Sequence, residues 1–363
     1  MTENKIGIIY DDDFALKHVP PYPKPTFLSF ENPARIEAMI KALKREQIFE
    51  KTQVIRFNSS EIEDTILELA HSKFHIDSIR KISGGGGAII DEEVFITSDS
   101  FELAKKAVGG AITAVERVIK SDVNQSIALI RPPGHHAFRD KASGLCIFNN
   151  IALSILNLRH KLDNTEKVAI IDIDNHFGDG LAHYFYEDPS VLYISVHEYD
   201  FSQMDMGFID EVGVGEGIGK NINIPVPGGL TSSEFLGLID FIEPFLREFS
   251  PRIIIIATGF DTYFADPIGN GLLTSDTFHK FSKKMLKIAE ELCEGRLVFI
   301  LEGGYSIIGL QYCILALIKG LLNEDYSRPN FEDLAPINSP NRNDLEKIKK
   351  ALIHLMRPYW NCY

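Results

Sequence analysis

The chain has 363 residues, 45% of them hydrophobic and 24% charged, with 51 acidic against 37 basic side chains and a formal net charge of −14 at pH 7. This composition excludes a disordered chain, and the acidity disfavours nonspecific nucleic-acid binding while attracting cationic ligands such as lysine-rich tails or polyamines. The segment MTENKIGIIYDDD lacks the basic and apolar regions of a signal peptide, no apolar run approaches membrane-spanning length, and the four cysteines form no CxxC pair, so the expectation is a cytoplasmic protein with no membrane or direct nucleic-acid partner.

Runs rich in Val, Ile and Leu predict strands at residues 6–10, 53–57, 126–130, 167–172, 191–197, 221–226, 252–258 and 296–301, several of them unbroken as in strands covered on both faces. Helical patterns lie between them. Asn32 and Pro33 open a helix whose Ile36, Met39, Ile40 and Leu43 share one face. Residues 101–120 and 278–292 carry two more, and Thr231 with Glu234 makes a capping box before another. Residues 84–87 and 202–219 read as loops. After Asn323 the composition turns to Asn, Pro and Asp before a last helix near 345–356, read as an extension over 324–363 packed on a core of about 5–320. Strands alternating with helices predict right-handed βαβ crossovers and one layered α/β/α domain over 1–363 with a mainly parallel sheet.

Five of the apolar runs stop at polar clusters: Arg131 to His136, Asp172 to His176, Ser195 to His197, Gly259 to Asp261, and Glu302 to Tyr305. Ligands of open parallel sheets bind beyond the carboxyl ends of the strands, so these clusters can converge on one site. Extended geometry would turn Asp172, Asp174 and His176 to one side, and Asp261 completes an Asp and His donor set with a coordination position left open. Such donors suit zinc, with iron or another divalent metal as alternatives. His135 and His136 follow a stiff Pro-Pro-Gly turn and can take a proton from a water and return it to a leaving amine, with Asp172 and Asp179 orienting the two rings. Tyr305 can donate a hydrogen bond to a carbonyl oxygen as charge develops there.

Together RPPGHHA, GLCIFNN, DIDNHFGDG, SVH, INIPVPGG, TGFD, DPIGN and LEGGY, in that order from about Tyr10 to Ile318, resemble the zinc-dependent histone deacetylase family, which includes acetylpolyamine amidohydrolases. The resemblance implies an arginase/deacetylase-like fold with an eight-stranded sheet, and zinc on Asp174, His176 and Asp261. It further implies His136 as general base and acid, His135 as its electrostatic partner and Tyr305 as the carbonyl polariser. It also implies a structural potassium ion held by Asp172 and Ser195 with carbonyls near Asp174, His176 and Val196, and makes Arg35 the arginine of an internal channel beneath the site.

Substrate-channel positions by the same match are Gly144, Leu145, Phe201, Ile268, Arg35 and Gly303. Here the chain departs from the family pattern. Leu145 stands where an aromatic is usual, the loop after His197 lacks Phe-Pro-Gly and leaves the opposite wall to Phe201, Phe208 or a methionine, and Phe177 replaces a histidine. The acid at the rim is one of Asp91, Glu92 and Glu93. Ile268, where polyamine-selective members carry glutamate, points towards acetyl-lysine in protein or peptide as substrate. An acetylated small amine is the alternative within enzymes, and a noncatalytic acetyl-lysine binder the alternative outside them.

Overall fold

A computed structural model describes residues 4–21, 26–162, 166–337 and 342–363. Among the described residues ten strands are present: β1 Ile6–Ile9, β2 Val54–Phe57, β3 Gly87–Ile89, β4 Phe95–Thr97, β5 Gln125–Ala128, β6 Val168–Asp172, β7 Val191–Glu198, β8 Asn221–Val226, β9 Ile253–Thr258 and β10 Leu297–Leu301. Eight form one sheet in the order β2-β1-β5-β10-β9-β6-β7-β8, and every neighbouring pair is parallel. The unbroken runs sit at its centre, where β5, β6, β9 and β10 are buried along their whole length. Helices fall into two packed sets. Ser100–Ile119 lies against Asn150–Leu162, while Ile307–Leu321 lies against Ser275–Cys293 and Ala34–Arg45. This is the layered α/β/α architecture with eight parallel strands that the sequence predicts.

Local differences have local causes. Residues 84–87 are no free loop: Gly84 ends the helix Lys73–Gly84 and Gly87 begins β3, which pairs antiparallel with β4. Three-residue strands carry too little periodicity to be read. The capping box at Thr231 and Glu234 forms as expected, and Asn32 Oδ1 accepts from the Ala34 N–H at 3.0 Å to open its helix. At the far edge the terminal helix Arg342–Met356 packs near β8, and Trp360 Nε1 donates to the Gly219 carbonyl at 2.8 Å. Among the described residues no helix is long and apolar enough to cross a membrane.

Beneath the centre of the sheet's carboxyl edge lies a buried ion cluster. Glu31 accepts from Arg35 Nη1 at 3.1 Å and from Arg131 Nε and Nη2 at 2.8 and 2.7 Å, and all three side chains are fully buried. Arg131 also donates to the carbonyls of Phe14, Lys17 and His18, fixing the start of the loop that carries His135 and His136. Burial alone would raise the Glu31 pKa, but Arg131, His18 and Arg35 outweigh it and hold it down at about 2. Removing one member of a buried pair leaves an uncompensated charge, so Glu31→Gln is expected to cost ~3–5 kcal/mol. Because the folded pKa is depressed, that stabilisation is present above about pH 4.5 and fades as pH falls towards 2. Thermal denaturation of wild type and Glu31→Gln should therefore show a large gap at pH 7 that narrows below pH 4.5; equal stability at pH 7 would contradict it.

Candidate active site at the strand ends

The five strands that end in polar clusters are five consecutive neighbours, β5-β10-β9-β6-β7, in the middle of the sheet. Parallel pairing puts all their carboxyl ends on one edge, so clusters far apart in sequence meet.

Asp174, His176 and Asp261 offer one donor atom each within 4.8 Å of one another. His176 Nδ1 lies 3.2 Å from Asp174 Oδ1 and 3.2 Å from Asp261 Oδ2. Backbone amides hold the carboxylates in place: Gly303 N–H donates to Asp174 Oδ2 and Asn175 N–H to Asp261 Oδ1, both at 2.8 Å. Gly303 must lack a side chain, since a Cβ there would come within 2.4 Å of Asp261 Oδ2 and 2.6 Å of Asp174 Oδ2. Burial and the Asp174 charge push the Asp261 carboxyl up to about 7, and the two carboxylates raise the His176 imidazole well above its ordinary value despite burial. Two buried, mutually repelling carboxylates beside an imidazole, with one side left open, fit a divalent cation of the zinc class. Asp172 is not part of this trio. Its Oδ2 lies 3.2 Å from His135 Nδ1 and accepts from the Tyr193 hydroxyl at 3.0 Å.

His135 and His136 stand with ring centroids 4.1 Å apart. Burial would lower the His135 pKa, but the Asp174 and Asp172 carboxylates override it and raise it to about 10. His136 goes the other way: burial, and then the neighbouring His135, lower its pKa, while Asp179 Oδ1 at 2.8 Å from Nδ1 opposes the shift and orients the ring. The two adjacent imidazoles thus differ in their readiness to accept a proton. Gly144 has φ +50 and allows the approach of His136, whose ring a Cβ there would meet at 2.4 Å.

These groups open into a cavity of ≈ 590 Å³ lined by His135, His136, Asp174, His176, Asp179 and Tyr305, and walled by Gly144, Leu145 and Ile268 as the sequence predicts. Leu145 packs with Leu28, Phe95 and Tyr305. Phe201 is not on the wall: it is 49% exposed and leans on Tyr199 at a centroid distance of 5.1 Å. Phe177, Tyr199 and Met206 supply that side instead. Arg35 and Gly303 are buried behind the wall rather than in it, Arg35 donating to the carbonyls of Gly304 at 2.7 Å and Glu302 at 2.5 Å. Of the three candidate rim acids, Glu93 lines the cavity, while Asp91 Oδ1 accepts from the Glu93 and Val94 amides in its own turn. At the β6–β7 border Asp172 stands opposite Ser195, whose Oγ lies 2.8 Å from His197 Nδ1, and Val196 follows buried on β7.

Residues not singled out from the sequence also serve the site. Glu302 Oε2 accepts from the Gly134 and His135 amides at 2.6 and 3.0 Å, binding the histidine loop to the end of β10. Glu198 accepts from Asn175 Nδ2 at 2.9 Å and Asn270 Nδ2 at 2.8 Å, linking the loop between two of the donors to the DPIGN segment. The available signal was position: Glu302 opens LEGGY and Glu198 directly follows SVH. What they bond to is backbone or amide, which no spacing reveals.

The sequence model of the histone deacetylase domain matches residues 29–321. A probable deacetylase of Archaeoglobus fulgidus is 34% identical, with 98% of this chain and 99% of that protein aligned. Histone deacetylase 18 of Arabidopsis thaliana is 32% identical over 99% of this chain and polyamine deacetylase HDAC10 of Danio rerio 28% over 92%, and the chain spans about half the length of each, 52% and 49%. The crystal structure of the HDA15 HD domain superposes with a TM-score of 0.85 at 26% identity, covering 99% of this chain and 97% of that one. With the matched domain spanning most of its length, the chain belongs to the histone deacetylase family.

Proposed function

We propose that the protein is a zinc-dependent deacetylase that hydrolyses the amide of an acetyl-lysine-type substrate to free amine and acetate. One observation carries this reading: the Asp174–His176–Asp261 donor set, the His135–His136 pair and Tyr305 share one cavity at the sheet edge. Asp174, His176 and Asp261 would hold a zinc-class cation, which when bound would supply Lewis acidity to the amide carbonyl and to the attacking water. His136, kept basic on Nε2 by the Asp179 contact at Nδ1, takes the water's proton and hands it to the nitrogen as the C–N bond breaks. His135, charged between Asp172 and Asp174, offsets developing negative charge. The Tyr305 phenol donates to the carbonyl oxygen, and burial keeps that phenol protonated. A structural potassium ion beside Asp172 and Ser195, with carbonyls of Asp174, His176 and Val196, belongs to the same reading and is supported by the in-register placement of the two side chains. The four free cysteines, three of them buried, fit the reducing cytoplasm inferred from their spacing.

A noncatalytic binder would need no proton relay, and the presence of His135, His136 and Tyr305 in one cavity supports the catalytic reading over it. A second enzymatic reading, an acetylated polyamine as substrate, gains support from the cavity mouth, where Glu93, Asp200 and Asp205 stand against Lys141 alone. Ile268 on the wall supplies no carboxylate and keeps acetyl-lysine the first choice.

Tyr305→Phe should lower kcat ~10²- to 10³-fold while leaving KM nearly unchanged, measured as acetate release; unaltered kcat would remove Tyr305 from the chemistry. Asp261→Ala should lose the bound metal, read as less than one equivalent by elemental analysis after dialysis, together with turnover; full metal content would misplace the site. If a polycationic substrate is used, Asp205→Asn with Asp200→Asn should raise its KM several-fold at low salt and the difference should shrink as salt is added; an unchanged KM argues for the peptide.

A further inference from the structure

The phenol of Tyr305 can serve a carbonyl only if the turn that carries it is held, and that turn belongs to neither a strand nor a helix. It lies between β10 and the helix Ile307–Leu321, with Gly304 at φ +106 immediately before the tyrosine. The Glu302 and Gly304 carbonyls are taken by Arg35, and the amides of the tyrosine and the residue after it by one side chain: Asp266 Oδ2 accepts from the Tyr305 N–H at 2.6 Å and the Ser306 N–H at 2.9 Å. The other oxygen of the same carboxylate accepts from the Ile268 N–H at 3.0 Å and, more weakly, the Gly269 N–H at 3.4 Å. An ionised carboxylate has about four lone-pair directions, and here every one meets a backbone amide. Ile268 lines the cavity and packs in the cluster that holds the Tyr305 ring, with Leu28, Phe95 and Leu145. Arg35 lies over the Tyr305 ring, 4.7 Å from its centroid.

We propose that Asp266 is the positioning residue for Tyr305: it sets the height of the phenol over the reacting carbonyl and fixes the Ile268 wall to the same frame. It touches no substrate and acts only through the turn. The inference rests on the deacetylase reading for its kinetic consequence, and on geometry alone for the hold itself.

The isosteric Asp266→Asn keeps one acceptor oxygen and presents an amide N–H₂ to the other pair of donors, so one side of the clamp opens. A double-mutant cycle with Tyr305→Phe, on protein of equal metal content, separates positioning from general damage. Asp266→Asn should lower kcat ~10-fold or more when Tyr305 is present, and less than ~3-fold in the Tyr305→Phe background, because residues acting as one unit are non-additive. Equal losses in both backgrounds would overturn the proposal. Hydrogen exchange gives a readout free of activity. In the wild type the Tyr305 and Ser306 amides should be protected although they lie outside any strand or helix, and Asp266→Asn should speed their exchange selectively; fast exchange in the wild type overturns the hold. A wild type that hydrolyses no acetamide would sink the deacetylase reading while leaving the exchange result to decide what Asp266 does.

Discussion

Four carboxylates, Asp172, Asp174, Asp261 and Glu302, are buried together at the carboxyl ends of β6, β9 and β10. Charge packed so densely away from water is unfavourable unless each group finds protons, cations or N–H donors. The surrounding structure follows from how each finds them. Asp172 takes the His135 ring and the Tyr193 hydroxyl, Glu302 takes two amides of the histidine loop, and Asp174 and Asp261 share His176 and face the open side. The His135 ring is thus fixed by the charge it satisfies, and its pKa rises because of where Asp174 and Asp172 sit, while burial and the neighbouring His135 lower that of His136.

A second layer holds the first. Glu31 gathers Arg35 and Arg131; Arg131 anchors the start of the histidine loop, and Arg35 anchors the carbonyls of the tyrosine turn. Both loops thus hang from one buried acid, while Asp266 accepts from the Tyr305 and Ser306 amides of the tyrosine turn. Sites of this kind gain precision from supporting contacts that touch no substrate, because a small misplacement of an electrophile weakens the interaction made in the transition state.

Much of this was legible in the residues themselves. Continuous Val, Ile and Leu runs mark fully buried strands, and polar clusters at their ends mark the candidate edge, so Asp172, Asp174, His176 and Asp261, the histidine pair and Tyr305 could be named before any coordinates, the family resemblance narrowing the donors to Asp174, His176 and Asp261. The order of strands could not, since crossovers decide which ends become neighbours, and β10 enters between β5 and β9 only in three dimensions. Loop walls were harder still. Phe201 has the right chemistry but its loop turns it outward, and Phe177, Tyr199 and Met206 line the cavity in its place. Asp266 and Glu302 act on backbone amides, partners that carry no side-chain signature, and so sat in plain view inside DPIGN and LEGGY with no stated task.

The measurement that bears most directly on the central claim is product formation by zinc-loaded wild-type protein given an acetyl-lysine peptide and N-acetylputrescine side by side, following acetate and free amine together. Equal amounts of acetate and amine are expected from the peptide, with slower turnover of the polyamine. Zinc bound to the protein with no acetate released from either compound would contradict it.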